Sequence, residues 1–203
     1  MTQLSRASFS ETKASEVALY FLLRAREHDR SVTKLRLIKW MYLAERMSYE
    51  QFGEPLTGDT LCSMQHGPVP STTLYLVERP HVVTGSNGAW KSVVNVVREK
   101  NHEYLNIRSD CQYESTDDLR HLSDAEVELL DEVWLKFGKM SSKKLETYLH
   151  DPEKTPEWQW APGDKSNPIE LEDLLAAIGY NKEQIVQLVG NIQAFEGIDK
   201  AFA

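Results

Sequence analysis

A mainly helical α+β domain is the architecture that three patterns in the sequence imply. Apolar residues recur at helical spacing through the first fifty residues and again from about residue 122 onward, with capping signals at the starts. Between these stretches, around 82–107, β-branched runs alternate with turn signals. Together they describe a compact helical domain with a small antiparallel β-sheet or hairpin inserted in its middle. At 203 residues the chain is long enough for one domain with a substantial core. It reads as a single domain over 1–203, with its core at about 11–165 and a C-terminal helical extension at about 168–195.

Ala14, Val17, Ala18, Phe21, Leu22 and Ala25 share one helical face, which predicts a first helix over 11–28. A second follows over 33–52. Thr33 is placed to cap it, Val32 to pack on Leu37 as a hydrophobic staple, and Gly53 with Pro55 to stop it. Leu35, Ile38, Met41, Tyr42, Tyr49 and Phe52 make one broad apolar side of this helix, widened by Leu37 and Ala44, so it belongs to the core. The narrow remaining face carries Arg36, Lys39 and Arg46 and is expected to be its exposed edge, with Trp40 between edge and core. Glu45 points into the apolar sector, where an unpaired carboxylate is costly. It must pair with a cation or amide from elsewhere, or face a groove that a partner fills.

Residues 57–66 lack helical periodicity, and Leu61-Cys62-Ser63-Met64 reads as a short extended segment entering a corner at His66-Gly67-Pro68. Pro68 and Pro70 are expected to end it, and Pro70 or Ser71 to open a short helix through Val77. The expected sheet has two or three strands, drawn from Val82-Val83-Thr84, Trp90 to Val97 and Glu103 to Ile107, with turns at Ser86-Asn87-Gly88 and at Arg98 to His102. Ser123-Asp-Ala-Glu126 is a capping box, which predicts a helix over 124–137 with Val127, Leu130, Val133, Trp134 and Phe137 inward. Ser141 or Ser142 caps another, with Leu145, Tyr148 and Leu149 inward. The proline-rich stretch 151–168, with Trp158 and Trp160, is a long ordered loop or an interaction surface, its tryptophans expected as lids over the core. Leu171, Leu174, Leu175 and Ile178 form a short helix closed by Gly179, and Asn181 caps a last one carrying Ile185, Leu188, Val189 and Ile192.

Hydrophobic content of 41% and charged content of 27% are those of an ordinary soluble protein. No run approaches the roughly 18 apolar residues of a membrane span, and the polar start Met1 to Arg6 lacks a signal peptide's apolar core. The expectation is a cytoplasmic protein without membrane contact. The net charge of −8 is uneven: residues 114–132 hold eight acids against the single Arg120. Such a chain binds nucleic acid poorly through phosphate contacts but is attracted to a basic protein partner. A helix–turn–helix made from the first two helices fails because its reading helix is too apolar to face a groove. Cys62 and Cys111 are expected to stay reduced. The six histidines form no helical ligand pair, and no Gly-rich phosphate loop follows a strand, so no metal, cofactor or catalytic set is expected. Cys62 and His66 leave open a cysteine-dependent hydrolase, set against the plainer reading of a buried cysteine near a structural histidine.

Lys34-Leu-Arg-Leu-Ile-Lys-Trp-Met-Tyr-Leu-Ala-Glu45, then Gly53-Glu-Pro-Leu56, then Ser63-Met-Gln-His-Gly-Pro-Val-Pro70 run in an order that resembles the Panacea domain. That family includes the SocA-type antitoxins of bacterial toxin–antitoxin pairs, and its pattern runs Lys-Leu-x-x-Leu-x-Tyr, Gly-x-Pro-Leu, Tyr/His-Gly-Pro-Val. Leu122-Ser-Asp-Ala-Glu126 through Phe137-Gly138-Lys139 extends the resemblance, which covers most of 14–165. It implies a non-enzymatic antitoxin, in some relatives associated with phage or mobile elements, that neutralises a cognate protein toxin by direct binding. Delivery of the toxin to a cytoplasmic protease is the alternative mechanism it implies. The expected toxin-binding surface is Met64, Gln65, His66, Gly67, Pro68, Val69 and Pro70, with Arg36, Lys39, Trp40 and Glu45 of the neighbouring helix.

Overall fold

The computed structural model describes residues 9–79, 88–99 and 102–202, with side chains through 194. Helices α1 (Glu11–Glu27) and α2 (Lys34–Phe52) form where the apolar spacing places them, each capped as its first residues require. Ser10 Oγ accepts from Lys13 N, and Thr33 Oγ1 accepts from Arg36 N. Gly53 ends α2 at φ +70°, a left-handed cap that glycine takes without a Cβ clash. Later in the chain, α5 (Asp124–Phe137) starts at the Ser123/Glu126 capping box, α6 (Ser142–Leu149) at Ser141, and α7 (Leu171–Ala177) precedes α8 (Lys182–Phe202). None of the described helices is long and apolar enough to cross a membrane. The core centres on α1, α2 and α5, where Trp40 packs between Phe21 (5.6 Å) and edge-on to Trp134 (5.4 Å).

Sheet structure is richer than the sequence suggests. Strands β1 (Leu61–Met64) and β2 (Gly67–Pro70) form a hairpin across Gln65-His66, and β5 (Asn167–Pro168) joins the other edge of β1, giving the order β2-β1-β5. Pro68 and Pro70 therefore lie within a strand rather than ending one. They are tolerated because β2 is an outer strand, where a missing N–H need not break a ladder. A separate two-stranded sheet pairs β3 (Val94–Glu99) with β4 (His102–Ile107), so Arg98, Glu99 and His102 extend the strands expected to turn there. Trp90 to Val93, expected as strand, form instead the short helix α4 (Ala89–Val93). Its start is held because buried Glu11 accepts from Trp90 N at 3.0 Å, satisfying an amide that a helix N-terminus leaves free. The expected strand Val82-Val83-Thr84 and the turn at Ser86 and Asn87 lie outside the described residues.

Two buried carboxylates organise the link from α2 to α3 (Ser71–Glu78). Glu45, 1% exposed, resolves its misplacement by pairing with amides. It accepts from Leu56 N (3.1 Å), Thr57 N (2.9 Å), Thr57 Oγ1 (2.7 Å) and Gly58 N (3.2 Å). Burial pushes its carboxyl up to about 7, while the donors from Thr57 and Gly58 pull it down. Asp59 does the same for α3, accepting from Thr72 N, Thr73 N and Thr73 Oγ1. A Glu45→Gln substitution keeps the shape but turns an N–H₂ toward these donors. It should cost about 1–3 kcal/mol in urea unfolding at mildly alkaline pH. Wild-type stability would show that the carboxylate is not what holds residues 56–58.

Candidate protein-binding surface

The polar face of α2, expected to be exposed, is covered. Arg36 stacks its guanidinium 4.6 Å from the Trp40 ring and donates to Ser31 O and Gly138 O, both at 2.8 Å. Trp40 Nε1 donates to Phe137 O at 3.3 Å, so both residues serve the carbonyls at the end of α5. Lys39 is 1% exposed, and its Nζ donates to Pro68 O at 2.7 Å. Tyr42 Oη and Arg46 Nε both donate to Glu157 Oε1, at 2.5 and 2.7 Å. A helical wheel gives the direction of a side chain but not what lies over it. Here the β1–β2 hairpin and the 151–160 loop lie over this face. Arg36, Lys39 and Trp40 are thus interior residues, contrary to the expected exposed edge, and Glu45 is interior and paired with amides rather than facing a groove. Gly67, Pro68, Val69 and Pro70 are buried as well, which leaves Gln65 and His66 exposed and Met64 partly so.

The hairpin tip is held from several sides. Gly67 has φ +93°, which strains any other residue, and a Cβ there would crowd Lys39 Nζ at 3.3 Å and touch His150 Cδ2 at 3.4 Å. The His66 side chain is 67% exposed, with Nδ1 2.7 Å from Glu146 Oε1, and Lys143 Nζ reaches the other oxygen of Glu146 at 3.1 Å. Trp158 stacks on the His150 ring at 4.2 Å and 8°, and its Nε1 donates to Met64 O at 3.0 Å. Gln159 N donates to Ser63 Oγ at 3.0 Å. Beside the exposed tip lie the partly exposed Met64 and Trp158. Sequence reasoning missed Glu146 and His150, whereas Tyr148, expected inward, does pack edge-on against buried Phe137. The proline-flanked Trp158 carried a usable signal, since it stacks on His150 and borders the tip.

Cys62 is buried in β1, while His66 turns its Nδ1 to Glu146. Among the described residues no hydrogen bond joins the two, and no group of three or more His, Cys, Asp or Glu side chains is disposed to hold a metal ion.

Lys39 carries a measurable signature of this arrangement. Burial lowers its ammonium to about 7, opposed by the nearby Glu146 carboxylate, and burial likewise lowers His150. The folded state then holds fewer protons than the unfolded chain between about pH 7 and the ordinary lysine value of 10.5. The contribution of Lys39 to stability is therefore complete above the unfolded value and is lost as pH falls through the folded one. The stability of wild type relative to a Lys39→Met variant should rise from neutral pH to about pH 9 in urea unfolding. Parallel pH profiles would show that the amine titrates alike in the folded and unfolded states.

The family described as antitoxin SocA-like, Panacea domain, matches residues 37–159, more than half of the chain. The match begins within α2 and runs through the hairpin tip to the tryptophan loop that braces it. No curated protein and no solved structure matches the chain. With that match over the core helix, the hairpin and the bracing loop, the chain belongs to the SocA-like antitoxin family defined by the Panacea domain.

Proposed function

We propose that this chain is an antitoxin that neutralises a cognate protein toxin by direct binding, without chemistry of its own, and that the β1–β2 tip is its principal contact. The observation that carries the reading is the tip's combination of rigidity and exposure. Gln65 and His66 face solvent while Gly67, Pro68 and Met64 beneath them are fixed through Lys39, His150 and Trp158. A contact held in one geometry loses little entropy on binding. Its neighbours Met64 and Trp158 are of the kinds enriched at interfaces. The family match supports the antitoxin role in general. The buried residues enter only as frame: Lys39 beneath the tip, Arg36 and Trp40 at the end of α5, and Glu45 at residues 56–58.

The test is co-expression with a toxic open reading frame adjacent to the gene, followed by pull-down and growth measurement. Wild-type protein should restore growth and co-purify with the toxin. His66→Ala removes only an exposed pair with Glu146, so its melting temperature should stay near wild type while affinity for the toxin falls by about tenfold or more. Full rescue and unchanged affinity in this variant would take the tip out of the interface. Rescue without co-purification would argue against neutralisation by direct binding.

A further inference from the structure

A second open feature is built from other elements, at the α1–α2 corner and β4. β4 pairs with β3 along one edge, but its other edge is crossed only briefly, where Leu105 N donates to Val32 O at 2.8 Å and Thr33 bridges Tyr104. Beyond that crossing no backbone hydrogen bond to this edge is made among the described residues. Val94 is opposite Ile107, and Arg108 N donates to Val93 O at 2.9 Å. That pattern makes the pair a non-hydrogen-bonded one, so the N–H and C=O of Ile107 point away from β3. They border a groove of about 580 Å³ whose lining includes Leu22, Val32, Leu105 and Ile107.

The groove's charge differs in sign from that of the whole chain. Arg26, Arg30 and Arg108 line it against Asp29 and Glu114, in a protein of net charge −8. Arg108 is held by Asp110, and Arg26 donates to the Glu114 carbonyl rather than to its carboxylate. Exposed Arg30 makes no ion pair among the described residues. Among the described residues the Nε of buried Arg36 has no partner, and repulsion from Arg30 adds to the burial that lowers its guanidinium, so cations outnumber carboxylates at this corner.

We propose that this groove takes an extended acidic segment of a partner protein, added as a strand along the open edge of β4 at Ile107, with Arg30 and Arg26 receiving its carboxylates. Strand addition supplies affinity through main-chain hydrogen bonds and specificity through alternate side chains. Arginine matches a carboxylate through its planar fork of donors.

The test uses three short labelled peptides with the full chain: alternating Val and Glu, alternating Val and Lys, and the Glu peptide methylated on alternate backbone nitrogens. In fluorescence anisotropy the Glu peptide should bind about tenfold or more tightly than the Lys peptide, and added salt should weaken it. Backbone methylation and Arg30→Glu should each abolish that advantage, and exchange of the Ile107 amide should slow on binding. The thermal midpoint of Arg30→Glu, an exposed change, should match wild type. No binding of the Glu peptide, equal binding of both charges, or indifference to methylation would overturn the proposal. Self-association of wild type that Arg30→Glu abolishes would assign the edge to a second copy and likewise overturn it.

Discussion

The buried polar side chains of α2 must find partners away from water, and those partners lie on segments distant in sequence. Arg36 holds carbonyls at Ser31 and Gly138, Lys39 holds Pro68, Glu45 gathers the amides of residues 56–58, and Tyr42 with Arg46 holds Glu157. Leaving any of these heads buried and unpaired costs several kcal/mol, more than a typical surface contact supplies. A slip of α2 would misplace them all together. The helix therefore acts as a template that fixes the position of irregular chain, in addition to burying its apolar side.

This template reaches the surface through the hairpin. Lys39 anchors the carbonyl of Pro68 from below, Gly67 lets His150 and the lysine approach closely, and Trp158 closes the outer side through Met64 O. Gln65 and His66 inherit a fixed geometry from buried Lys39, Gly67 and Pro68 and from the half-buried His150 and Trp158. In a family whose members act as antitoxins, such a tip suits a contact in which most ordering entropy has already been spent in folding.

What was legible in the sequence was what local chemistry determines. Thr33, Ser123, Glu126, Ser141 and Gly53 mark helix ends through bonds within a few residues, and those helices form where the signals stand. The β2-β1-β5 sheet was not legible, because Asn167–Pro168 joins β1 from about a hundred residues away and β2 contains two prolines. Trp90 to Val93 look like strand by composition, yet the amide of Trp90 meets Glu11 and the segment turns helical. The candidate surface was half legible. The Gly-Pro corner marked where the chain turns, but the wheel could not tell that Arg36, Lys39 and Trp40 lie beneath chain arriving from residues 61–70 and 137–160. The motif residues that make the corner rigid are mostly interior, and the exposed pair between them has no backbone signature of its own.

Amide hydrogen exchange of the full chain, alone and in complex with its co-expressed toxin, addresses the central claim most directly. The account predicts strong additional protection on binding at the hairpin of residues 61–70 and across residues 143–160, with the interior of α2 already protected in the free protein. Protection confined to other parts of the chain, with the hairpin exchanging as in the free protein, would contradict it.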